Sequence, residues 1–270
     1  MNQTLKTALA DCTYREETTE SNKIFDAHCH LNYELIVVYE GTIHIVIEGQ
    51  QIELHPYEMV LIPPLRYHSV YSVKSGIYRR AFILFEEELI PTEIREDLKT
   101  ISEAEPFYSH PILKPTLDLI PEIMQDAAPA KFAPLVESVL TEIFYHLIMH
   151  RTARVFVESN TVICQISNYI DRHIHEKILL DDIANHLYLS KSTLCHLFQK
   201  NMNISVKQYI LQKKVFYAAD LIRGGMPATE VSKSIGYDNY ANFYKVYKKF
   251  FPHSPSKKEK KKKLPKKADD

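Results

Sequence analysis

The chain has 270 residues, of which 45% are hydrophobic and 25% charged, close to the averages of globular proteins. The length predicts about two domains, and the 6 glycines exclude collagen-like and glycine-rich disordered classes. We find no run of about 18 apolar residues, which argues against a membrane-spanning helix. The polar start lacks a secretory signal and the four cysteines form no CxxC pair, so we expect reduced thiols and a cytoplasmic location.

The net charge of −1 conceals an uneven distribution. Residues 1–160 carry 13 Lys and Arg against 24 Asp and Glu, a net charge of −11, whereas residues 161–270 carry 20 against 10, a net charge of +10. An acidic module joined to a basic one indicates nucleic acid as a partner of the second half. Eight of the 20 positive charges lie in residues 257–270, for which we favour a solvated, disordered tail over an additional grip on phosphate.

Residues 24–85 have the pattern of short strands, with turn signals about every 8–12 residues. In one segment Ile43, Ile45 and Ile47 alternate with other residues, which is typical of a strand with one buried face. The pattern predicts a small antiparallel β-barrel or sandwich. The polar residues 1–22 that precede it are expected to form a mobile arm.

Beyond residue 85 the apolar residues recur at helical spacing. Helices are predicted over 86–100, 112–126 and 133–150. The last has an apolar stripe that needs a partner, either the barrel or a second subunit, and it consists of Leu135, Val139, Ile143, Phe144 and Leu147. Residues 151–160 are predicted to be a linker, and residues 161–256 to be entirely helical.

The helical second half contains two similar units, residues 179–200 and 227–249, each with a short helix, a tight turn and a second helix. Asp181 or Asp182 is predicted to cap the first helix, and Ser190 the second. Short polar and aromatic side chains on a second helix suit contacts with base edges, and flanking lysines suit phosphates. The candidate DNA contacts are Lys191, Ser192, Cys195, His196, Gln199, Tyr240, Asn242, Tyr244 and Lys245.

The segment IGYDNYANFYKVYKKFFPHSP, with Leu194, Phe198 and Tyr209 before it, resembles the DNA-binding domain of the AraC/XylS family of bacterial transcription regulators. The resemblance implies two recognition helices in successive major-groove segments on one face of DNA. It departs from the family at Asn203, where glycine is usual, and at Lys214, where arginine is usual.

The segment HCHLNYELIVVYEG resembles the first sequence motif of cupins, and YEMVLIPPLRYH resembles the second, with Tyr57 and Leu65 where glycines are usual. On an extended strand His28, His30 and Glu34 face one side, because side chains alternate. The sensor domains of the AraC family are cupin-like, so the resemblance implies a ligand-sensing barrel.

The predicted ligand-binding residues are His28, His30, Glu34, Arg66 and His68. One of the neighbours Arg79 and Arg80 must also face inward on a regular strand. Such groups around an apolar barrel suit a polar small molecule such as a sugar. Three histidines and a glutamate also suit Mn, Fe or Zn, but we predict no metal and no other cofactor. Motifs for a catalytic nucleophile or a phosphate loop are not found, so we predict no catalytic residue and no enzyme.

The predicted fold class is mixed α and β, with an N-terminal cupin-like antiparallel β-barrel followed by helices and a C-terminal all-α double helix-turn-helix domain. The predicted regions are a polar arm (1–22), a ligand-sensing barrel (23–85), a helical dimerisation region (86–150), a linker (151–160), a DNA-binding domain (161–256) and a disordered lysine-rich tail (257–270).

These features predict a sequence-specific, AraC-type transcription regulator that responds to a small molecule. Its expected partners are double-stranded promoter DNA, the small-molecule effector, a second copy of the chain and, if it is an activator, RNA polymerase, without a membrane. One alternative is a metal-dependent cupin enzyme, an isomerase or dioxygenase, with a helical appendage. Another is a DNA-binding protein whose barrel has lost its ligand and only dimerises.

Overall fold

The computed structural model describes residues 2–19, 27–72, 74–104, 107–108, 111–126, 129–149, 158–159 and 161–255. The chain divides into two compact units, Met1–Asn160 and Thr161–Asp270. The first unit contains antiparallel sheets and helices and the second is helical, so the predicted fold class is confirmed. Residues 20–22 of the predicted arm, most of the predicted linker and the lysine-rich tail lie outside the described residues.

Two antiparallel sheets form the first unit. The strands are β1 (Asn2–Lys6), β2 (Ala10–Thr19), β3 (Tyr33–Glu40), β4 (Ile43–Ile47), β5 (Gln50–Leu54), β6 (Met59–Ile62), β7 (His68–Ser72), β8 (Gly76–Phe85), β9 (Phe107–Tyr108) and β10 (Glu158–Ser159). One sheet has the order β1-β2-β8-β3-β6-β9 and the other β10-β5-β4-β7. The two-residue strand β10 comes from the predicted linker and pairs with the edge strand β5.

The expectation of a mobile N-terminal arm is wrong for residues 2–6 and 10–19. Strand β2 pairs with β8 along its whole length, and β1 pairs with β2. Ala10, Cys12 and Tyr14 alternate with polar residues and are buried on one face of the sheet. Because every second residue of this strand is polar, its composition conceals its strand character.

Strand β3 contributes to two separate apolar cores. Leu35 and Val37 face helices of the same unit, whereas Ile36 and Val38 face the space between the two sheets. All four side chains are buried. Burial on both faces explains why this strand has a continuous apolar sequence rather than an alternating one.

Three helices cover one face of the six-stranded sheet: α1 (Arg95–Ala104), α2 (Lys114–Asp126) and α3 (Pro129–Met149). Among the described residues, the segment Phe132–Met149 of helix α3 is long and apolar enough to span a membrane. Its mean hydropathy is 1.3. Its residues Leu140, Ile143 and Phe144 are fully buried in the core against the sheet, as expected of the core helix of a folded domain. Leu135, predicted on the same stripe, is 42% exposed instead.

Two residues occupy left-handed backbone positions where the cupin-like motif usually has glycine. Tyr57 has φ +64° and Leu65 has φ +65°. A bulky residue in this region is strained, and persists where surrounding contacts hold it. The Tyr57 hydroxyl donates to Asp118 (2.9 Å) on α2, and the Lys114 ammonium lies 3.8 Å from the centre of the Tyr57 ring.

The second unit consists of helices α4 (Thr161–Arg172), α5 (Leu180–His186), α6 (Lys191–Met202), α7 (Val206–Arg223), α8 (Ala228–Ser234) and α9 (Tyr240–Phe250). The prediction that Ser190 caps α6 is confirmed, because its hydroxyl accepts from the Thr193 amide. The prediction of Asp181 or Asp182 as the cap of α5 is wrong, because the helix already begins at Leu180. Both aspartates lie in its first turn, where negative charge favours the helix dipole.

Candidate functional site

A cluster of three histidines and one glutamate joins the two sheets of the first unit. The His28 and His68 backbones form a pair of hydrogen bonds (3.0 and 2.9 Å), and the Leu65 amide donates to the His30 carbonyl. Glu34 lies on β3 in one sheet, whereas His68 begins β7 in the other. The potential ligand atoms of His28, His30, Glu34 and His68 all lie within 4.8 Å of one another. The structure therefore brings four of the five predicted ligand-binding side chains together.

Glu34 lies at the centre of this histidine–glutamate cluster. Its Oε2 atom is 3.0 Å from His30 Nε2 and 2.8 Å from His68 Nε2. The His28 ring is 4.6 Å from the His68 ring, centre to centre. His68 is 1% exposed and Glu34 6%, whereas His28 is exposed, so the cluster reaches solvent at His28.

Backbone carbonyls fix the orientation of two imidazoles. Nδ1 of His30 is 2.8 Å from the Asn32 carbonyl, and Nδ1 of His68 is 2.9 Å from the Arg66 carbonyl. Because a carbonyl can only accept, each Nδ1 carries a proton and each Nε2 points towards Glu34. This leaves the two Nε2 atoms as groups that can either bind a proton or donate a lone pair.

Glu34 and His68 form a buried pair of opposite charges within the cluster. Burial raises the pKa of Glu34, but its contacts with His30 and His68 outweigh burial and hold that pKa well below its usual range. Burial lowers the pKa of His68, but the Glu34 carboxylate outweighs it and raises the net value. A buried ion pair contributes little stability by itself, because desolvation offsets the attraction between the charges.

Arg66 contributes its backbone carbonyl to the cluster, where it accepts a hydrogen bond from His68 Nδ1 (2.9 Å). Of the two neighbours on β8, Arg80 is buried (5% exposed) and Arg79 is half-exposed, so one faces inward as expected. The Arg80 guanidinium lies 4.9 Å from the Tyr78 ring centre and 3.4 Å from Glu17. Sequence reasoning missed Glu17, because it lies in the segment expected to be a mobile arm.

Helix α6 has a buried apolar back and an exposed polar front. Leu194 and Phe198 are fully buried. The residues predicted to contact DNA lie on the other side: Lys191, Ser192, His196 and Gln199 are exposed, and Cys195 is half-buried. The Lys191 ammonium is 2.8 Å from Asp181 on α5, a contact that the sequence did not reveal.

Helix α9 repeats this arrangement in the second helix-turn-helix unit. Phe243 and Tyr247 are buried, and they pack with their rings 5.7 Å apart. The predicted DNA-contacting residues Asn242, Tyr244 and Lys245 are exposed, and Tyr240 is half-buried. The Asn239 side chain caps the helix by accepting from the Ala241 amide. Both second helices therefore offer a polar surface that begins at a capped N-terminus.

Comparison with known proteins identifies both units. Residues 13–144 match the family model of an AraC-like ligand binding domain, and residues 183–261 match that of a helix-turn-helix domain. The Msm operon regulatory protein of Streptococcus mutans is 34% identical over 87 residues, 30% of this chain and 31% of that protein. The uncharacterised HTH-type transcriptional regulator YdiP of Escherichia coli is 28% identical over 91 residues, 33% and 30% of the two chains. The chain thus matches about a third of the length of these curated relatives.

Among solved structures, an apo ToxT variant from Vibrio cholerae aligns with a TM-score of 0.44 and 11% identity over 93% of this chain and 97% of that chain. The two family models together cover most of both units and join a ligand-binding domain to a DNA-binding domain in one chain. The chain therefore belongs to the AraC family of transcription regulators, with a cupin-like sensor domain and a helix-turn-helix domain.

Proposed function

We propose that the chain is a cytoplasmic, homodimeric regulator that reads promoter DNA with α6 and α9 and responds to a small molecule at the histidine–glutamate cluster. The observation that carries the proposal is the pair of helix-turn-helix units, each presenting a second helix with a buried apolar back and an exposed polar front. A surface of this kind suits a major groove, where the N-terminal part of a recognition helix meets base edges.

The charges on these helices support contact with phosphates. Lys200 near the end of α6 and Lys248 and Lys249 near the end of α9 are exposed. Lysines that flank a recognition helix bind phosphate without regard to sequence, whereas residues such as His196 and Asn242 face positions where base edges are read. Binding should therefore weaken steeply as salt rises, because each phosphate contact releases counterions.

We propose the histidine–glutamate cluster as the effector site, with a polar small molecule such as a sugar as the first candidate. The cluster combines a carboxylate acceptor, imidazole groups that donate or accept, and an opening to solvent at His28. Hydroxyl groups require paired donors and acceptors, which this set supplies. Such a molecule would exchange hydrogen bonds with Glu34 and the imidazoles instead of leaving buried groups unpaired.

The same cluster fits a divalent first-row metal, a second candidate favoured by one observation. Four nitrogen and oxygen donors lie within 4.8 Å of one another, and the Nδ1 atoms of His30 and His68 bond to carbonyls, which leaves their Nε2 atoms as ligands. Outer hydrogen bonds of this kind orient metal-binding histidines. A bound metal would supply a strong positive charge and open coordination positions for a ligand. His28, His30, Glu34 and His68 are the residues that would hold it.

Exposed apolar side chains on the helices of the first unit support a homodimer. Leu119 on α2 is 42% exposed, and Leu135 and Met149 on α3 are 42% and 61% exposed. Exposed apolar groups on a helix pair suit a self-complementary contact between two copies. RNA polymerase is a further partner if the regulator activates transcription.

The deciding experiment is a footprint of the full-length protein on DNA upstream of its own gene, at two salt concentrations. Protection of two neighbouring segments per protomer, each lost when base sequence is scrambled, supports reading by α6 and α9. Diffuse protection that vanishes at high salt contradicts it. A change of protection on adding one member of a panel of sugars or of Mn²⁺, Fe²⁺ and Zn²⁺ identifies the effector class.

Variants locate the effector site. His30→Ala should abolish the response and any stoichiometric metal found in the purified protein by elemental analysis. The matched control is His44→Ala, because His44 contacts Glu53 (2.7 Å) on another part of the four-stranded sheet and not the cluster. An unchanged response in His30→Ala, or an equal loss in His44→Ala, contradicts the assignment.

A further inference from the structure

Helix α7 carries two consecutive lysines whose side chains are buried. Lys213 is 5% exposed and Lys214 7%. The Lys213 ammonium is 2.9 Å from Asp171, near the end of α4. The Lys214 ammonium donates to two backbone carbonyls, those of Glu176 and Ile235.

Of the two carbonyls bound by Lys214, one lies just before the first helix-turn-helix unit and the other lies within the second. Glu176 lies in the segment between α4 and α5, which leads into the first helix-turn-helix unit. Ile235 is the C-cap of α8, and the turn that follows it leads into α9. One ammonium group thus connects the segment before the first helix-turn-helix unit to the turn of the second helix-turn-helix unit.

Gly236 brings the same two backbone segments into direct contact. It has φ +81°, and a Cβ atom there would lie 2.9 Å from the Glu176 carbonyl carbon and the Lys177 nitrogen. A side chain at this position would force the segments apart, and its backbone conformation favours glycine. Lys214 therefore lies beside a point where these two backbone segments are in contact.

The cost of burying Lys214 is offset by its directed hydrogen bonds. Burial lowers the pKa of Lys214 to about 8, the direction expected for a poorly solvated ammonium group. An apolar replacement would leave the Glu176 and Ile235 carbonyls without this donor, and a buried polar group that loses its partner is destabilising. Two directed hydrogen bonds from one buried group suit it to fixing the arrangement of the segments that it joins.

We propose that Lys214 is a positioning residue for DNA recognition, which sets the placement of α9 relative to α6 and hence the spacing of the two DNA segments read by one protomer. The inference rests on the proposed reading of DNA by both helices. Two modules that are held rigidly bind a matching pair of sites more tightly than the same modules held loosely, because the second binding event is intramolecular.

The test uses the full-length protein and a duplex that it selects from a random-sequence pool, with protected segments mapped by footprinting. Derivative duplexes carry one scrambled segment, or 2 extra base pairs between the segments, which rotate one segment by about a fifth of a helical turn. Lys214→Met should bind the intact duplex about tenfold more weakly than wild type and tolerate the insertion better, with single-segment binding unchanged within about twofold. Lys214→Arg should restore wild-type behaviour, because a guanidinium keeps donors for both carbonyls.

The matched control is Lys213→Met, which removes an equally buried lysine whose ammonium is paired with Asp171 on α4. It should keep the wild-type spacing preference. Wild-type affinity and spacing preference in Lys214→Met, or the same relaxation in Lys213→Met, overturns the inference. If Lys214→Met loses its helical circular dichroism, Gly236→Ala replaces it, and an unchanged spacing preference there overturns the inference. A wild-type protein that protects a single segment contradicts the proposed function itself.

Discussion

Replacing Phe243 with alanine tests whether α9 is anchored as the structure describes. Phe243 is fully buried, and its ring centre lies 5.6, 5.9 and 5.7 Å from those of Tyr237, Tyr240 and Tyr247. Alanine leaves a cavity among three tyrosines that are themselves held by neighbours. Phe-to-Ala changes in cores cost about 3–5 kcal/mol, a large part of the about 5–15 kcal/mol by which a domain is stable.

Hydrogen exchange measured by mass spectrometry detects this loss of stability locally, peptide by peptide. A decrease of about 3–5 kcal/mol in the free energy of opening corresponds to about 10²–10⁴-fold faster exchange. We expect that acceleration in peptides covering α9, with wild-type exchange in peptides covering α3 of the first unit. DNA binding to the segment read by α9 should be lost.

Tyr244→Ala is the control on the same helix. Tyr244 is 39% exposed, so its loss should change stability by less than about 0.5 kcal/mol while still weakening DNA binding. Wild-type exchange of α9 in Phe243→Ala would refute the placement of this residue as the helix anchor. Equal destabilisation by both variants would contradict the division of α9 into a buried back and an exposed front.

Three further predictions use other parts of the chain. Asp181→Asn breaks an exposed contact with Lys191 and costs at most about 1 kcal/mol of stability. Because it frees Lys191 for phosphate, it should strengthen DNA binding at low salt. Weaker binding in a gel-shift assay would contradict this. Burial raises the pKa of Cys12 to about 12, so iodoacetamide at pH 8 should modify Cys164 and Cys195, which are half-buried, and spare Cys12, as measured by mass spectrometry. Leu135→Asp should convert the proposed dimer to a monomer in analytical ultracentrifugation without unfolding it, because Leu135 is already 42% exposed; a persistent dimer would exclude α3 from the interface.

The features that sequence predicted correctly depend on local patterns. The helix-turn-helix units follow from apolar spacing around Leu194 and Phe243 and from caps such as Ser190, all set within a few residues. His28, His30 and Glu34 come together as predicted, but not along one extended strand, because the chain bends at residues 31–32 between His30 and Glu34 on β3. Even the departure at Asn203 was interpretable, because this residue has φ +53° at the end of α6, where asparagine replaces glycine at little cost.

The features that sequence did not predict depend on contacts between distant residues. Strand β2 is stable because it pairs with β8, about 65 residues away in the chain, and its own composition is polar. Lys214 donates to Glu176 and Ile235, 38 and 21 residues away, which no local pattern encodes. Tyr57 likewise combines a left-handed backbone position with a hydroxyl that donates to Asp118 on α2, 61 residues away.

The geometry of the histidine–glutamate cluster, the proposed effector site, also limits how an effector can act there. An effector switches a regulator only if it binds two arrangements of the protein with different affinity. Here Glu34 already contacts His30 and His68, so an occupant must replace these contacts with its own. A metal cation would compete with protons for the two Nε2 atoms, and a polar organic molecule would compete for Glu34 Oε2. Either occupant therefore replaces an internal ion pair, which joins the two sheets, with bonds to the effector. The effector's affinities for two arrangements of the protein would then differ because the two sheets hold Glu34 and His68 at different separations in each arrangement.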